Sequence, residues 1–205
     1  MTSTGLITDK IPVFDLYLFL QELLYAETGK IPKVWIVSPW IKNLTYYVKA
    51  SGLFTSIHWD SLGDQLTTLD FFRLYSKSKS PDIRIVTVAP SKTKYETRLD
   101  MLDELRFLVS AVNLGAKVYF YEHHKKYLLT NFGVVAGGTN YTQSGRYFKP
   151  EASFYFETKD PEYQQCCDDV QDVIKKSQSR GDETLPFLQE TLRKFELDAT
   201  GHGQR

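Results

Sequence analysis

Apolar residues recur at helical spacing early in the chain. Val13, Leu16, Tyr17, Leu20, Leu23 and Leu24 place one apolar stripe on a helix reaching about Glu27, and Gly29 and Pro32 punctuate its end. Residues 34–37 are apolar at every position, the pattern of a short strand covered on both faces. Residues 43–60 are mixed and read as largely loop. A helix follows over 63–75, with Leu66, Leu69, Phe72 and the neighbouring Leu74 on its apolar side. Residues 83–89 predict a strand and 95–112 a helix, through Leu99, Leu102, Leu105, Phe107 and Leu108, capped by Gly115.

The next strand, 117–121, runs into His123-His124-Lys125-Lys126, and the β-forming residues around these positions extend the strand reading through them. On a strand His123 and Lys125 share one face, and His124 and Lys126 share the other. A second apolar run, 132–136, returns behind Thr130-Asn131 and ends at Gly137-Gly138, where a tight turn is permitted. This hairpin brings Asn140 back towards His123 and Lys125. A loop over 141–150 and a strand over 152–157 complete the sheet; two helices, 161–176 and 184–196, follow. Strand and helix alternate before the hairpin, so the expected class is α/β with a mixed sheet and a helical C-terminus. Residues 1–198 read as one domain after a polar leader, and 199–205 as a disordered tail.

Charge adds little direction, because 25 basic residues balance 25 acidic ones. Any site for a polyanion must be local. No apolar run approaches the ~20 residues that span a bilayer, and residues 1–10 hold no apolar signal core. The adjacent Cys166 and Cys167 are poorly placed for an ordinary disulfide, which agrees with a reducing, cytoplasmic setting. They also make a poor zinc set with His123 and His124, since neighbouring strand residues diverge and neither pair has ligand spacing. Trp35, Trp40 and Trp59 read as core or rim residues. His58 and His202 take no role.

The chemistry concentrates in residues 123–140. An imidazole can attack phosphorus or carry a proton, an ammonium supplies a point charge, and a carboxamide supplies donors, so together they suit a phosphate. The pattern resembles the HKD motif of the phospholipase D superfamily, HxKxxxxD followed after six residues by GSxN. His123, Lys125, Gly137 and Asn140 match in register; Gly138 stands where Ser is usual, and Thr130 replaces the Asp. Shifting the frame to His124 and Lys126 would put Asn131 in the Asp place but lose Asn140. Thr130 lies on the opposite strand face from His123, so its loss of the acid should perturb packing first. Glu151 stands where many members of the superfamily carry the residue that hydrogen-bonds the nucleophilic His. Residues 34–41, ending in Ser38-Pro39-Trp40-Ile41, resemble the first strand of single-motif bacterial members, whose small polar residue faces the site.

The resemblance implies a phospholipase D-like fold, with helices on both faces of the sheet, and catalysis by two such histidines. A chain with one motif would supply them as a homodimer. His123 would attack a phosphodiester without a metal or other cofactor, its partner copy would protonate the leaving oxygen, Lys125 and Asn140 would stabilise the phosphoryl oxygens, and Glu151 would orient the imidazole. Ser38, Gly138 and Thr139 would line the substrate, with Arg146, Lys149, Lys92 and Lys94 as candidate backbone contacts. Single-motif proteins of this size resemble the bacterial nuclease branch, including restriction and phage-defence proteins, which implies DNA as substrate, other defence-system proteins as possible partners, and no membrane. Two other functions compete: a non-catalytic nucleic-acid-binding subunit of a defence complex, and a phospholipid hydrolase or transferase, for which no apolar groove or interfacial helix stands out.

Overall fold

The computed structural model describes residues 5–7, 11–48, 63–78, 80–90, 97–148, 152–177 and 183–201. Along the chain lie β1 (Gly5–Ile7), α1 (Ile11–Glu27), β2 (Lys33–Val37), β3 (Thr45–Tyr47), β4 (Gln65–Thr67), α2 (Thr68–Tyr75), β5 (Asp82–Thr87) and α3 (Arg98–Asn113). They are followed by β6 (Lys117–Phe120), β7 (Tyr127–Thr130), β8 (Gly133–Gly137), a π-helical turn (Ser144–Phe148), β9 (Ser153–Glu157), α4 (Pro161–Lys176) and α5 (Thr184–Gly201). Seven strands form one sheet in the order β1-β9-β8-β7-β2-β5-β6, and β3 and β4 make a small separate hairpin. β2, β5 and β6 are parallel neighbours, whereas β7, β8, β9 and β1 continue the sheet antiparallel.

The all-apolar run of β2 is covered on both faces, as its pattern requires. Val34 and Ile36 enter the larger core with Leu16 and Phe19 of α1, Phe71 and Phe72 of α2, Leu105 and Leu108 of α3, and Leu188 of α5. Trp35 and Val37 point the other way, into a smaller core that α4 closes with Cys166, Cys167, Val170 and Val173. Helices therefore pack on both faces, four on one and one on the other. Lys33 and Arg84 lie against the Trp35 ring, 4.3 and 4.4 Å from its centroid, and its indole N–H donates to Asp82 at 2.9 Å.

Helix starts differ from the apolar pattern because caps decide them. Thr67 and Asp70 form a reciprocal capping box, so α2 begins at Thr68 and the preceding Gln65–Thr67 is free to pair as β4. Thr97 and Asp100 do the same for α3, three residues later than periodicity places it. The leader also contains structure: Leu6-Ile7 pair with β9, and Ile7 is buried. At the other end α5 continues to Gly201, so residues 199–201 are helical instead of tail; Phe187 packs on Phe120, and Arg106 holds Glu196 at 3.0 Å. Among the described residues no helix is long and apolar enough to cross a membrane.

Candidate active site

β2, β5, β6 and β8 end, and β7 and β9 begin, at one edge of the sheet. The register shows it: Val37 lies opposite Val86 and Tyr127, Thr87 opposite Phe120, Tyr127 opposite Ala136, and Gly137 opposite Ser153. Of the sequence-predicted site residues, His123, Lys125, Gly138 and Asn140 sit at or beside this edge. Gly137 lets the strands close up there: a Cβ would meet Ser153 Cα at 2.4 Å and the Ala152 carbonyl at 2.7 Å. Its N–H donates to the Lys126 carbonyl and that of Gly138 to Ala152, which ties the two halves of the motif together.

Residues 121–126 are irregular backbone, not the strand the sequence predicts; β7 starts only at Tyr127. The chain turns here from parallel β6 to β7, which lies across β2 and β5 from it, so these residues cross the sheet end instead of pairing along it. Tyr121 still donates its N–H to Thr87. In this crossing His123 is half-buried and His124 exposed.

The His123 ring lies nearly parallel to Tyr121, centroids 6.4 Å apart. Its Nδ1 is 3.1 Å from the Lys125 carbonyl. A carbonyl can only accept, so Nδ1 carries the hydrogen and a neutral ring keeps its lone pair on Nε2. Nε2 is buried with no hydrogen-bond partner among the described residues. Burial holds the imidazole pKa below its usual 6.5 against the opposing effect of the Lys125 and Val86 carbonyls, so the ring is neutral at pH 7. The Lys125 carbonyl thus fixes the tautomer from the Nδ1 side. Glu151 lies outside the described residues, as do Lys149, Lys92, Lys94, His58, Trp59 and His202.

Asn140 reaches the same edge through Ser38. Val86, whose carbonyl acts on His123, accepts the Ser38 N–H at 3.0 Å; the Ser38 hydroxyl accepts the Tyr141 N–H at 2.9 Å. The Asn140 Oδ1 is buried and, among the described residues, also lacks a hydrogen-bond partner. Two unpaired buried polar atoms at one edge call for a ligand or other explanation, since such atoms are ordinarily satisfied.

Three expected substrate contacts occupy other places. Ser38 is fully buried, its hydroxyl donating to the Trp40 carbonyl at 2.6 Å while accepting from Tyr141, so it straps β2 to the motif. Thr139 is buried, and its hydroxyl accepts from Arg146 Nη1 at 3.1 Å. Arg146 is only 3% exposed and lies 3.2 Å from the wholly buried Asp15. A guanidinium held inside the core cannot meet a phosphate at the surface. Loop polarity suggested exposure, and the missing information was the acid in α1.

Sequence reasoning also overlooked Asp169. Lys125 Nζ lies 2.5 Å from its Oδ2, and Tyr127 donates its hydroxyl to the same oxygen at 3.0 Å. The hydrogen bond from Lys125 holds the Asp169 carboxyl below the usual range. An acid three residues after the buried Cys166 and next to the buried Val170 of α4 was the available signal. Thr130 is fully buried at the far end of β7, accepting from Phe132 N–H and donating to the Gly133 carbonyl. Cys166 is buried, which pushes its thiol up to about 11 and leaves it unreactive. Among the described residues no group of three His, Cys, Asp or Glu side chains could hold a metal ion.

No protein-family model and no curated protein matches this chain. Among the solved structures similar to it are these two. One is Nuc from Salmonella typhimurium, a phospholipase D family member: identity is 12%, 78% of this chain and 88% of that one are covered, and the TM-score is 0.48. The other is NucT from Helicobacter pylori, at 10% identity, covering 86% of this chain and 98% of that one, with a TM-score of 0.47.

Proposed function

We propose that the chain is a phospholipase D-like phosphodiesterase that cleaves DNA through a phosphohistidine on His123, without a metal, and that two copies complete the site. The observation that carries the reading is the state of His123: a neutral ring, Nδ1–H fixed on the Lys125 carbonyl, and a buried Nε2 with no partner among the described residues. That is the protonation state a nitrogen nucleophile needs. The motif resemblance supplies the reaction class, and DNA is the substrate class of the branch it resembles.

In the first step the Nε2 lone pair forms a bond to phosphorus as the bond from phosphorus to the leaving oxygen breaks. That oxygen takes a proton from His123 of the second copy, whose ring takes one up from solvent when the phosphodiester binds, because the negative charge beside it favours the imidazolium. Water then attacks the phosphohistidine, its proton returns to the second imidazole, and the first ring leaves neutral. The Lys125 ammonium and the Asn140 carboxamide stabilise the charge on the non-bridging oxygens. Glu151 and Lys149 remain proposed contributors, and Gly138 admits the phosphate close to the backbone. A role in restriction or phage defence would suit such an enzyme.

The test is cleavage of single- and double-stranded DNA in EDTA, together with a mass measurement in solution. A dimer that cuts, and an H123A variant that does not, support the reading. A wild-type dimer that binds DNA and leaves it intact would transfer the chain to the class of nucleic-acid-binding subunits.

A further inference from the structure

A buried polar cluster stands directly behind Asn140, and the reaction above makes no use of it. Thr139 and Tyr141, on either side of Asn140, are both buried. Arg146 touches both: Nη1 donates to Thr139 Oγ1 at 3.1 Å, and the guanidinium carbon lies 5.4 Å from the Tyr141 ring centroid. Asp15, from α1, stands 3.2 Å from Arg146 Nε on the other side. Tyr141 is held further by its hydroxyl, 2.7 Å from that of Tyr46 and 3.2 Å from that of Thr68. The π-helical turn that carries Arg146 closes on the same backbone, for a Cβ on Gly145 would lie 2.6 Å from the Asn140 carbonyl oxygen. Turns of this kind recur at functional sites.

The pair is a poor stabilising device. Arg146 Nε and both Asp15 carboxylate oxygens are buried without a hydrogen bond among the described residues, so the two ions lose hydration and recover it only partly. Apolar side chains of similar volume would serve packing at least as well. What the charges add is direction: a planar guanidinium fixed from behind can present one N–H to Thr139 and one face to Tyr141. Such a scaffold holds the backbone on both sides of Asn140.

We infer that Arg146, oriented by Asp15, is a positioning residue that fixes the backbone at Thr139 and Tyr141 and so places the Asn140 carboxamide on the phosphoryl group. This rests on the reading of Asn140 as a phosphate-binding residue. Small misplacements of such a group are costly, since its value lies in preorganisation.

The test is a cycle against Asn140. Because Arg146 alone cannot be removed without stranding Asp15, the variant is the double substitution D15L/R146M, which keeps volume and removes both charges. It is expected to fold with a melting temperature close to wild type and to lose about ten-fold in kcat with little change in KM. In an N140A background the same double substitution is expected to leave kcat unchanged. An unchanged kcat with Asn140 present, or an equal fall without it, overturns the inference. If the double variant does not fold, T139A replaces it in the cycle, with the same criteria and an expected loss of about three-fold. If N140A cleaves like wild type, or no cleavage occurs at all, the reading of the site has failed. Amide hydrogen exchange then decides the clamp: faster exchange confined to residues 139–141 in the variant supports it, and unchanged exchange there overturns it.

Discussion

Lys125 does not extend freely into the candidate site: its ammonium sits 2.5 Å from the Asp169 carboxylate of α4, and Tyr127 shares the same oxygen. A phosphate approaching Lys125 must compete with a resident anion. Both partners are more than a third exposed, so the pair is worth at most ~1 kcal/mol after solvent screening. D169N is therefore expected to tighten inhibition by inorganic phosphate or vanadate roughly three- to five-fold. Competition assays at fixed ionic strength check this; weaker inhibition would mean that Asp169 mainly orients Lys125.

The depressed pKa of His123 sets the acid side of the rate profile. Its folded pKa lies below 6.5, so the ring is neutral above that value and gains a proton as pH falls through it. Activity should consequently fall on acidification, with the ascending limb of kcat/KM centred below 6.5. In the window between the folded pKa and 6.5 the unfolded chain binds the proton more readily, so the same group makes stability rise with pH there. A limb centred above 6.5 would mean that the free enzyme starts from a charged ring.

The fold was legible where apolar runs and motif spacing carried it. β2 read as a strand covered on both faces because four consecutive residues are apolar, and the hairpin read correctly because a second apolar run returns directly behind Thr130-Asn131. Residues 121–126 misled because β-forming residues give no sign that the backbone is crossing a sheet end. Arg146 misled because its partner is remote in sequence. Asp15 and Glu22 are seven residues apart on one helix and both fully buried. The apolar stripe drew attention away from both acids, and nothing local to them names the remote partners they hold.

Gly137 is a steric requirement of the site edge. In G137A the new methyl meets the Ser153 backbone at 2.4 Å, and neither strand can move without losing the β8–β9 ladder. The expected cost is about 2 kcal/mol or more, read from the denaturant midpoint, with activity per folded molecule also reduced. A variant as stable as wild type would show that the two strands can separate cheaply.

Glu22 contributes a stability change of unusual sign. It is fully buried, accepts Lys33 N–H at 3.0 Å and Asn131 Nδ2 at 3.1 Å, and burial raises its pKa from 4.5 to about 7. The folded state then holds a proton that the unfolded state releases, so stability from this group falls as pH rises from 4.5 to about 7. E22Q cannot titrate. Its destabilisation relative to wild type should shrink by roughly 3 kcal/mol across that window. Unfolding free energies of the two proteins at acidic and neutral pH check it; a constant difference would mean that Glu22 keeps an ordinary pKa.

Thr130 occupies the place where the motif usually has Asp, and its surroundings indicate what the hydroxyl does. It is fully buried at the end of β7 remote from His123, donating to the Gly133 carbonyl at 3.2 Å and accepting the Phe132 N–H at 3.1 Å. Both bonds lie within the β7–β8 turn, and Tyr163 fastens the Thr130 carbonyl to α4 at 2.6 Å. T130V keeps the shape and removes the hydroxyl, leaving the Phe132 N–H without its acceptor. The expected loss is ~1–2 kcal/mol of stability, with kcat and KM of the folded enzyme unchanged. A large fall in kcat at a temperature where the variant is fully folded would show that the far end of the strand is coupled to His123, and that the residue in the Asp place contributes to the reaction.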